Sequence, residues 1–262
     1  MLRSSRLIAQ KIPKLIAEGI KYFKYIKYGY LYNWHAVNKA VAEDDDGYSL
    51  APEGWHVPTD AEWTTLSDYI DTNYSAIGVS NHLKHPRKDG TPVLSSEYNT
   101  STHPRWNANA THYGRDTVLF GALPGGHRTV LGSFDHLGTY GFWWSSSGDS
   151  STTAWRQRMG SYDGAVNRFA NVKTRGFSVR LIRDNDTGWV EGETVEIDGY
   201  TYDTVKIGTQ VWMVQNLATT KYRNGEDIPN VTDNTDWAND EAGARCAYNN
   251  DEGNVFATFK WL

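Results

Sequence analysis

The chain of 262 residues contains one cysteine, Cys246. A single thiol excludes an internal disulfide and any metal site built on a thiolate pair, so action outside a cell would have to proceed without disulfide staples. No stretch is long and apolar enough to span a bilayer. The start, Met1-Leu2-Arg3-Ser4-Ser5-Arg6-Leu7-Ile8-Ala9, has the charge of a secretory signal but not its continuous apolar run. Export by the general secretory route is therefore not expected, and assembly inside a cell with release in a larger particle fits better. A positive surplus is also missing. With 26 Lys and Arg against 31 Asp and Glu, the net charge is -5, which gives general nucleic-acid binding no electrostatic support.

What is abundant is glycine and aromatic side chains, with 24 Gly, 11 Trp and 16 Tyr. Large rings bury much area at little rotamer cost and suit a loop-rich fold. In residues 1–27, Ile12, Leu15, Ile16, Ile20, Phe23 and Ile26 recur at helical spacing between lysines. This predicts an amphipathic helix whose stripe packs on its own domain, docks on a larger assembly, or lies on a membrane surface. Tyr28, Tyr30 and Tyr32 then alternate as in a strand. Glu43-Asp44-Asp45-Asp46-Gly47 is an acidic turn without the ligand spacing of a calcium loop.

Thr59 followed three residues later by Glu62 is a capping box, and Trp63, Leu66 and Ile70 share one face, which predicts a helix over about 59–72. Residues 75–115 read as long ordered loops. Short strands are expected at 118–123, 142–144, 154–159, 165–169 and 177–182, the last half-buried with Phe177, Val179 and Leu181 inward. Residues 184–194 form a polar linker. Beyond it, 200–213 reads as a hairpin turning at Gly208-Thr209, and Asp236–Glu241 as a helical turn. Residues 196–262 hold too few apolar side chains for a core of their own and are expected to dock on the preceding block.

Sites for chemistry are weak. His82 and His85 stand three residues apart, but a zinc site needs a third ligand and Asp89 is held by nothing, so a surface loop is expected. His56 reads as a hydrogen-bonded structural histidine, and His127 as fixing a glycine turn or lining a surface. Gly125-Gly126 lacks the lysine and helix of a phosphate loop, Ser145-Ser146-Ser147 is no nucleophile elbow, and no carboxylate pair sits in an apolar phrase. The expectation is a protein that is not an enzyme, with no cofactor and no metal. The segment between Asp149 and Arg175 differs. Arg156, Gln157, Arg158, Ser161, Tyr162, Asp163, Asn167, Arg168, Phe169, Asn171 and Lys173 stand between apolar anchors. Rigid aromatic area with adaptable hydrogen-bonding groups is the chemistry of a binding surface, though an ordinary polar strand face has the same composition.

Several phrases in one order resemble the Fibrobacter succinogenes major paralogous domain. They are Tyr30-Leu31-Tyr32-Asn33-Trp34, Gly54–Trp63, Leu123–Arg128, Trp143–Ser146 and Gly176–Asp184, with further matches over 196–254. The resemblance implies an α+β, C-type-lectin-like fold related to formylglycine-generating enzymes, with short twisted antiparallel strands, one or two helices and long ordered loops. In the family the 196–254 type of segment precedes the Tyr-Leu-Tyr-Asn-Trp phrase, whereas here it follows the whole block. The expected organisation is an attachment helix at 1–27, a domain at 28–184, a linker at 185–195, and 196–262 completing the domain by circular permutation or opening a second repeat. Permutation requires residues near Val255 to lie close to Tyr28.

Similar modules occur in phage receptor-binding and bacterial surface proteins, and by that analogy 143–175 corresponds to a variable ligand-binding surface. The catalytic cysteine pair of the formylglycine branch is absent, and neither calcium-sugar tripeptide appears. The resulting expectation is a non-catalytic module of a phage fibre or virion that contacts a bacterial surface glycan or protein. Virion subunits would be engaged through residues 1–27. A homo-oligomer, with a trimer plausible, is expected, with no nucleic acid and no membrane insertion. Alternatives are a virion decoration protein that binds only its neighbours and an exported adhesin on a bacterial surface.

Overall fold

The computed structural model describes residues 22–39, 48–74, 77–85, 106–107, 109–112 and 114–260. Its elements begin with β1 (Tyr22–Ile26), β2 (Leu31–Tyr32), α1 (Trp34–Val37), β3 (Trp55–His56), α2 (Asp60–Tyr74) and α3 (Val79–Leu83). β4 (Gly125–Arg128), β5 (Phe134–Leu137), β6 (Tyr140–Gly148), β7 (Thr153–Gly160), β8 (Val166–Val172) and β9 (Ile182–Arg183) follow. The chain closes with β10 (Thr194–Ile197), β11 (Tyr200–Ile207), β12 (Gln210–Met213), α4 (Asn234–Ala238), β13 (Arg245–Cys246), α5 (Glu252–Val255) and β14 (Phe256–Lys260). The fold is mixed α and β, mostly short strands with few helices.

The capping box forms as the sequence predicts. The Glu62 amide donates to Thr59 Oγ1 at 3.2 Å and the Thr59 amide donates to Glu62 Oε2 at 2.8 Å, so two orphan donors at the start of α2 are satisfied reciprocally. Trp63, Leu66 and Ile70 are buried on one face. The Trp63 ring lies 4.9 Å from Trp212, 5.9 Å from Phe120 and 6.3 Å from Trp143. Those four rings come from α2, a loop, β6 and β12, so one cluster ties distant parts of the chain together. Indole N–H groups fix other tryptophans, with Trp34 donating to Ser145 O, Trp143 to Asn216 Oδ1 and Trp144 to Tyr32 O, each at 2.9 Å.

Two five-stranded sheets carry the fold, ordered β5-β4-β6-β7-β8 and β10-β11-β12-β9-β3, with two-stranded ribbons β1-β14 and β13-β2. Between the sheets runs 176–181. The Phe177 amide donates to Tyr32 O at 3.0 Å, Trp144 N to Ser178 O at 3.1 Å, and Leu217 N to Val179 O at 2.8 Å. The expected half-buried strand is therefore corrected: Ser178 and Arg180 are as buried as their apolar neighbours. Arg180 is tolerated inside because Nη2 donates to Gly121 O at 3.0 Å, Nε to Asn216 Oδ1 at 3.1 Å and Nη1 to Phe120 O. The Asp116 carboxyl, also buried, accepts from the Gly121 amide at 2.7 Å, and burial pushes its pKa up to about 7.

Other expectations are also corrected. Residues 118–123 form no strand. They coil through a turn stabilised by Asp116, with one bridge from Ala122 to Lys84. The tyrosine alternation yields a strand only at β2, because Gly29 adopts φ 73° against the Leu217 carbonyl. The His82 region is a short helix rather than a surface loop, with His82 and Lys84 buried. Lys84 Nζ donates to Gly160 O at 2.8 Å and Asp163 O at 3.0 Å. Tyr22–Ile26 is a strand, not the end of a helix. The rest of the expected attachment helix, the acidic turn at 43–47 and Asp89 lie outside the described residues.

The C-terminal segment docks on the first block. The hairpin turns at Gly208-Thr209, with Ile207 opposite Gln210. β12 pairs with β9 through Trp212 and Ile182, β13 with β2 through Cys246 and Leu31, and β14 with β1 through Phe256 and Ile26. The Arg128 guanidinium, buried, reaches into the same segment and donates to Val231 O at 2.5 Å, Thr232 O at 2.9 Å and Asp233 O at 3.1 Å. Burial pushes the Cys246 thiol up to about 12, which leaves it inert.

Candidate functional site

Side chains alternate across a strand, so β6, β7 and β8 present two faces. The inner face packs on α2, where Trp143 and Met159 join the Trp63 cluster. On that side Gln157 Nε2 donates to Asp60 Oδ1 at 3.3 Å. Arg168 lies over the Trp155 ring at 3.3 Å and pairs with Asp60 at 2.8 Å.

The opposite face is built by register. Phe142 stands opposite Arg158, and across β7 Arg156 stands opposite Phe169 and Arg158 opposite Asn167. The Arg156 guanidinium lies between rings, 5.0 Å from the Phe142 centroid and 4.8 Å from Phe169, and its Nε donates to Asn171 Oδ1 at 3.2 Å. Arg158 sits 4.6 Å from the Tyr140 ring and 5.5 Å from Phe169. Tyr162, 5.4 Å from Tyr140, borders the same area. Tyr162 and Phe169 are 50% and 46% exposed, among the most exposed large apolar side chains described.

From β4, His127 extends this face. Its ring lies 4.8 Å from Phe142 and stacks on His136 at 5.3 Å, and its Nε2 accepts from Arg175 Nη1 at 3.0 Å. Burial, then the Arg175 charge, pulls the His127 pKa down to about 4, so the ring is neutral at pH 7 and the Arg175 bond places its proton on Nδ1. Burial, with Arg158 and Arg175 nearby, lowers the Arg156 pKa to about 9. Even so the guanidinium stays charged at neutral pH. Among the described residues no carboxylate forms an ion pair with Arg156, Arg158 or Arg175. Arg156 Nη1, Arg158 Nε and His127 Nδ1 are buried with no hydrogen-bond partner there either.

The structure divides the residues singled out in the sequence. It gathers Arg156, Arg158, Asn167, Phe169 and Asn171 on this face, with Tyr162 at its border. Gln157 and Arg168 are on the other face. Ser161 is buried, its amide donating to Thr139 O at 2.8 Å. Asp163 caps a turn, its Oδ1 accepting from the Ala165 amide at 3.1 Å. Lys173 lies over Trp34 at 4.5 Å and donates to Ser151 O at 2.9 Å. Gln157, Ser161, Asp163 and Lys173, expected as ligand contacts, thus make these internal contacts, which strand alternation and turn geometry set apart from the face that carries Arg156 and Arg158. Sequence reasoning missed Tyr140, Phe142, His136 and Arg175. For Tyr140 and Phe142 the available signal was alternation along β6 in register with β7, which only pairing reveals, and for His136 and Arg175 local sequence carried none.

The arrangement can hold a ligand by stacking and by guanidinium hydrogen bonds. Among the described residues no three His, Cys, Asp or Glu side chains converge as a metal site, and no helix is long and apolar enough to cross a membrane. His56 bridges Asp184 at 2.6 Å and Glu62 at 2.9 Å, which ties the start of α2 to the end of β9.

A family model, the Fibrobacter succinogenes major domain, matches residues 11–183 and 205–258. Neither a curated protein nor a solved structure matches the chain. The two matched segments cover most of the sequence and include every strand of the candidate face. The chain belongs to the Fibrobacter succinogenes major domain family.

Proposed function

We propose that the chain is a non-catalytic ligand-binding module that presents to its ligand the exposed part of the candidate face, on β7 and β8 with Tyr140 and Tyr162 beside it. Phe142 and Trp144 of β6 belong to the core beneath. The carrying observation is the exposed pair Tyr162 and Phe169 beside arginines without counter-charges, on a sheet held rigid by the α2 cluster. Rigid rings with adaptable polar neighbours bind with little ordering cost. A C-type-lectin-like arrangement is the finer reading of the fold, supported by its short antiparallel strands, few helices and long connections. The setting that the resemblance suggests is a phage fibre or other virion component recognising a bacterial surface glycan or protein.

The test is binding of the purified protein to candidate host cells and to a bacterial glycan array, with Tyr162→Ala, Arg158→Ala and Phe169→Ala compared with the parent. Loss of binding at unchanged melting temperature is expected. Full retention in the triple variant would move the site elsewhere, and burial of this face between subunits of an assembled particle would favour a structural role.

A further inference from the structure

Three arginines, Arg156, Arg158 and Arg175, converge on one patch of a chain whose net charge is -5. Like charges repel, and each guanidinium is itself costly to desolvate unless paired. Among the described residues Arg168 and Arg183 have carboxylate partners, and Arg128 and Arg180 donate along most of their forks to carbonyls. Arg245, which also leaves Nε and Nη1 unpartnered, is a lone guanidinium over the Tyr30 ring. On the candidate face compensation is partial. Arg156, 7% exposed, bonds Asn171 through Nε and leaves Nη1 without a partner, and Arg158 Nε is likewise unpartnered. The neutral His127, 4% exposed, adds an unpartnered N–H at Nδ1. Donors without acceptors, in a place where positive charge gathers, call for an anion.

The surroundings narrow the anion. Arg158 lies between the Tyr140 and Phe169 rings, with Tyr162 next to Tyr140. An exposed ring face receives the apolar C–H face of a pyranose, while a planar guanidinium fork matches a planar carboxylate. Asn167 stands opposite Arg158 on β8 and adds an amide to the same face. A polyphosphate backbone would need charge spread along a track, and here the charge is confined to one patch. Resting on the binding reading above, we infer that this face is an anion subsite for an acidic saccharide, with the carboxylate of a uronate-class sugar on Arg158 and Arg156 and the sugar ring against Tyr162 and Phe169. Phe169 covers Arg156 on the edge strand β8, so Arg158 makes the direct contact and Arg156 adds its charge from beneath the ring.

The experiment titrates the full chain with oligogalacturonate and oligoglucuronate. Controls are their methyl esters, the sulfated and phosphorylated analogues, the neutral parent oligosaccharides and polyglutamate. Acid forms are expected to bind about tenfold or more tightly than esters, because charge-assisted hydrogen bonds are lost on esterification. That preference should weaken with rising salt and disappear in Arg158→Gln. Phe169→Ala should weaken acid and neutral sugars alike. Arg156 is buried, so its variants are read only beside a melting curve, and Arg158→Gln carries the test. Equal binding of acid and ester that still depends on Tyr162 and Phe169 would overturn the anion subsite and leave the binding face standing. Tighter binding of the sulfated or phosphorylated analogue than of the acid would overturn the carboxylate assignment. Preference for polyglutamate over every sugar would overturn the saccharide assignment. Glycan or cell binding indifferent to every substitution on this face would overturn the face itself.

Discussion

The amide of Lys27 donates to the carbonyl of Val255 at 2.7 Å, and the Tyr28 amide donates to Asn254 O at 3.1 Å. Residues 226 or more apart in sequence are thus neighbours beside one antiparallel ribbon, with Tyr22 opposite Lys260. A permuted form of the family arrangement requires this closeness, and the closeness permits a direct test of that reading. A gene that starts at Gly192, runs to residue 260, joins residue 22 through a short glycine-serine linker and ends at Glu191 is expected to fold. Gly192 has open space around it, and loop-closure cost grows slowly with linker length. A single cooperative melt within a few degrees of the parent checks this, and failure to fold would count against permutation.

Arg128 joins β4 to 231–234 through three backbone carbonyls there, stacked over Trp237 at 4.5 Å. Arg128→Met strips those carbonyls of their donor inside the protein, and a loss of about 3 kcal/mol or more is expected from buried groups left unsatisfied. Arg128→Lys should rescue little, since an ammonium cannot reproduce the fork. Denaturant midpoints measure both, and a loss below 1 kcal/mol in the methionine variant would contradict the staple.

Thr59→Ala removes the side-chain half of the α2 cap and is expected to cost about 1 kcal/mol. Thr59→Ser, which keeps the oxygen, should recover most of it. Because α2 carries Trp63 into the ring cluster, the loss should appear in the global transition rather than as local fraying.

His56 has its pKa raised, first by the hydrogen bond to Glu62, against burial, and then by the bond to Asp184. Burial pushes the Glu62 pKa up, but bonds from His56 and Thr59 outweigh it and hold the carboxyl below its ordinary value. The His56 contribution is complete below the unfolded histidine pKa and is lost as pH rises through the raised folded value. The Glu62 contribution is present above the unfolded carboxyl pKa and is lost as pH falls through the lowered one. Stability is therefore expected to peak in the mildly acidic window between them. In His56→Gln the decline on the alkaline side should flatten, as urea midpoints across pH would show. An unchanged alkaline limb would refute the linkage.

The sequence by itself determined the local elements whose signals are short-range. Thr59 and Glu62 meet within one helical turn, and Gly208-Thr209 closes a hairpin between strands adjacent in sequence, so spacing alone specifies both. It also located the stretch that holds most of the candidate face. It did not show that Ser178 and Arg180 are buried, because a strand with polar residues on one side reads as half-exposed until a second layer covers it. Only the tertiary structure decided that Arg180 finds its acceptors on Phe120 and Gly121, that Gln157 turns to Asp60 while Arg158 turns outward, and that Arg175 reaches His127 across 48 residues. Such contacts depend on sheet register and on the return of the C-terminal segment to the first strands. Both are settled by packing between distant parts of the chain, to which local sequence pattern is blind.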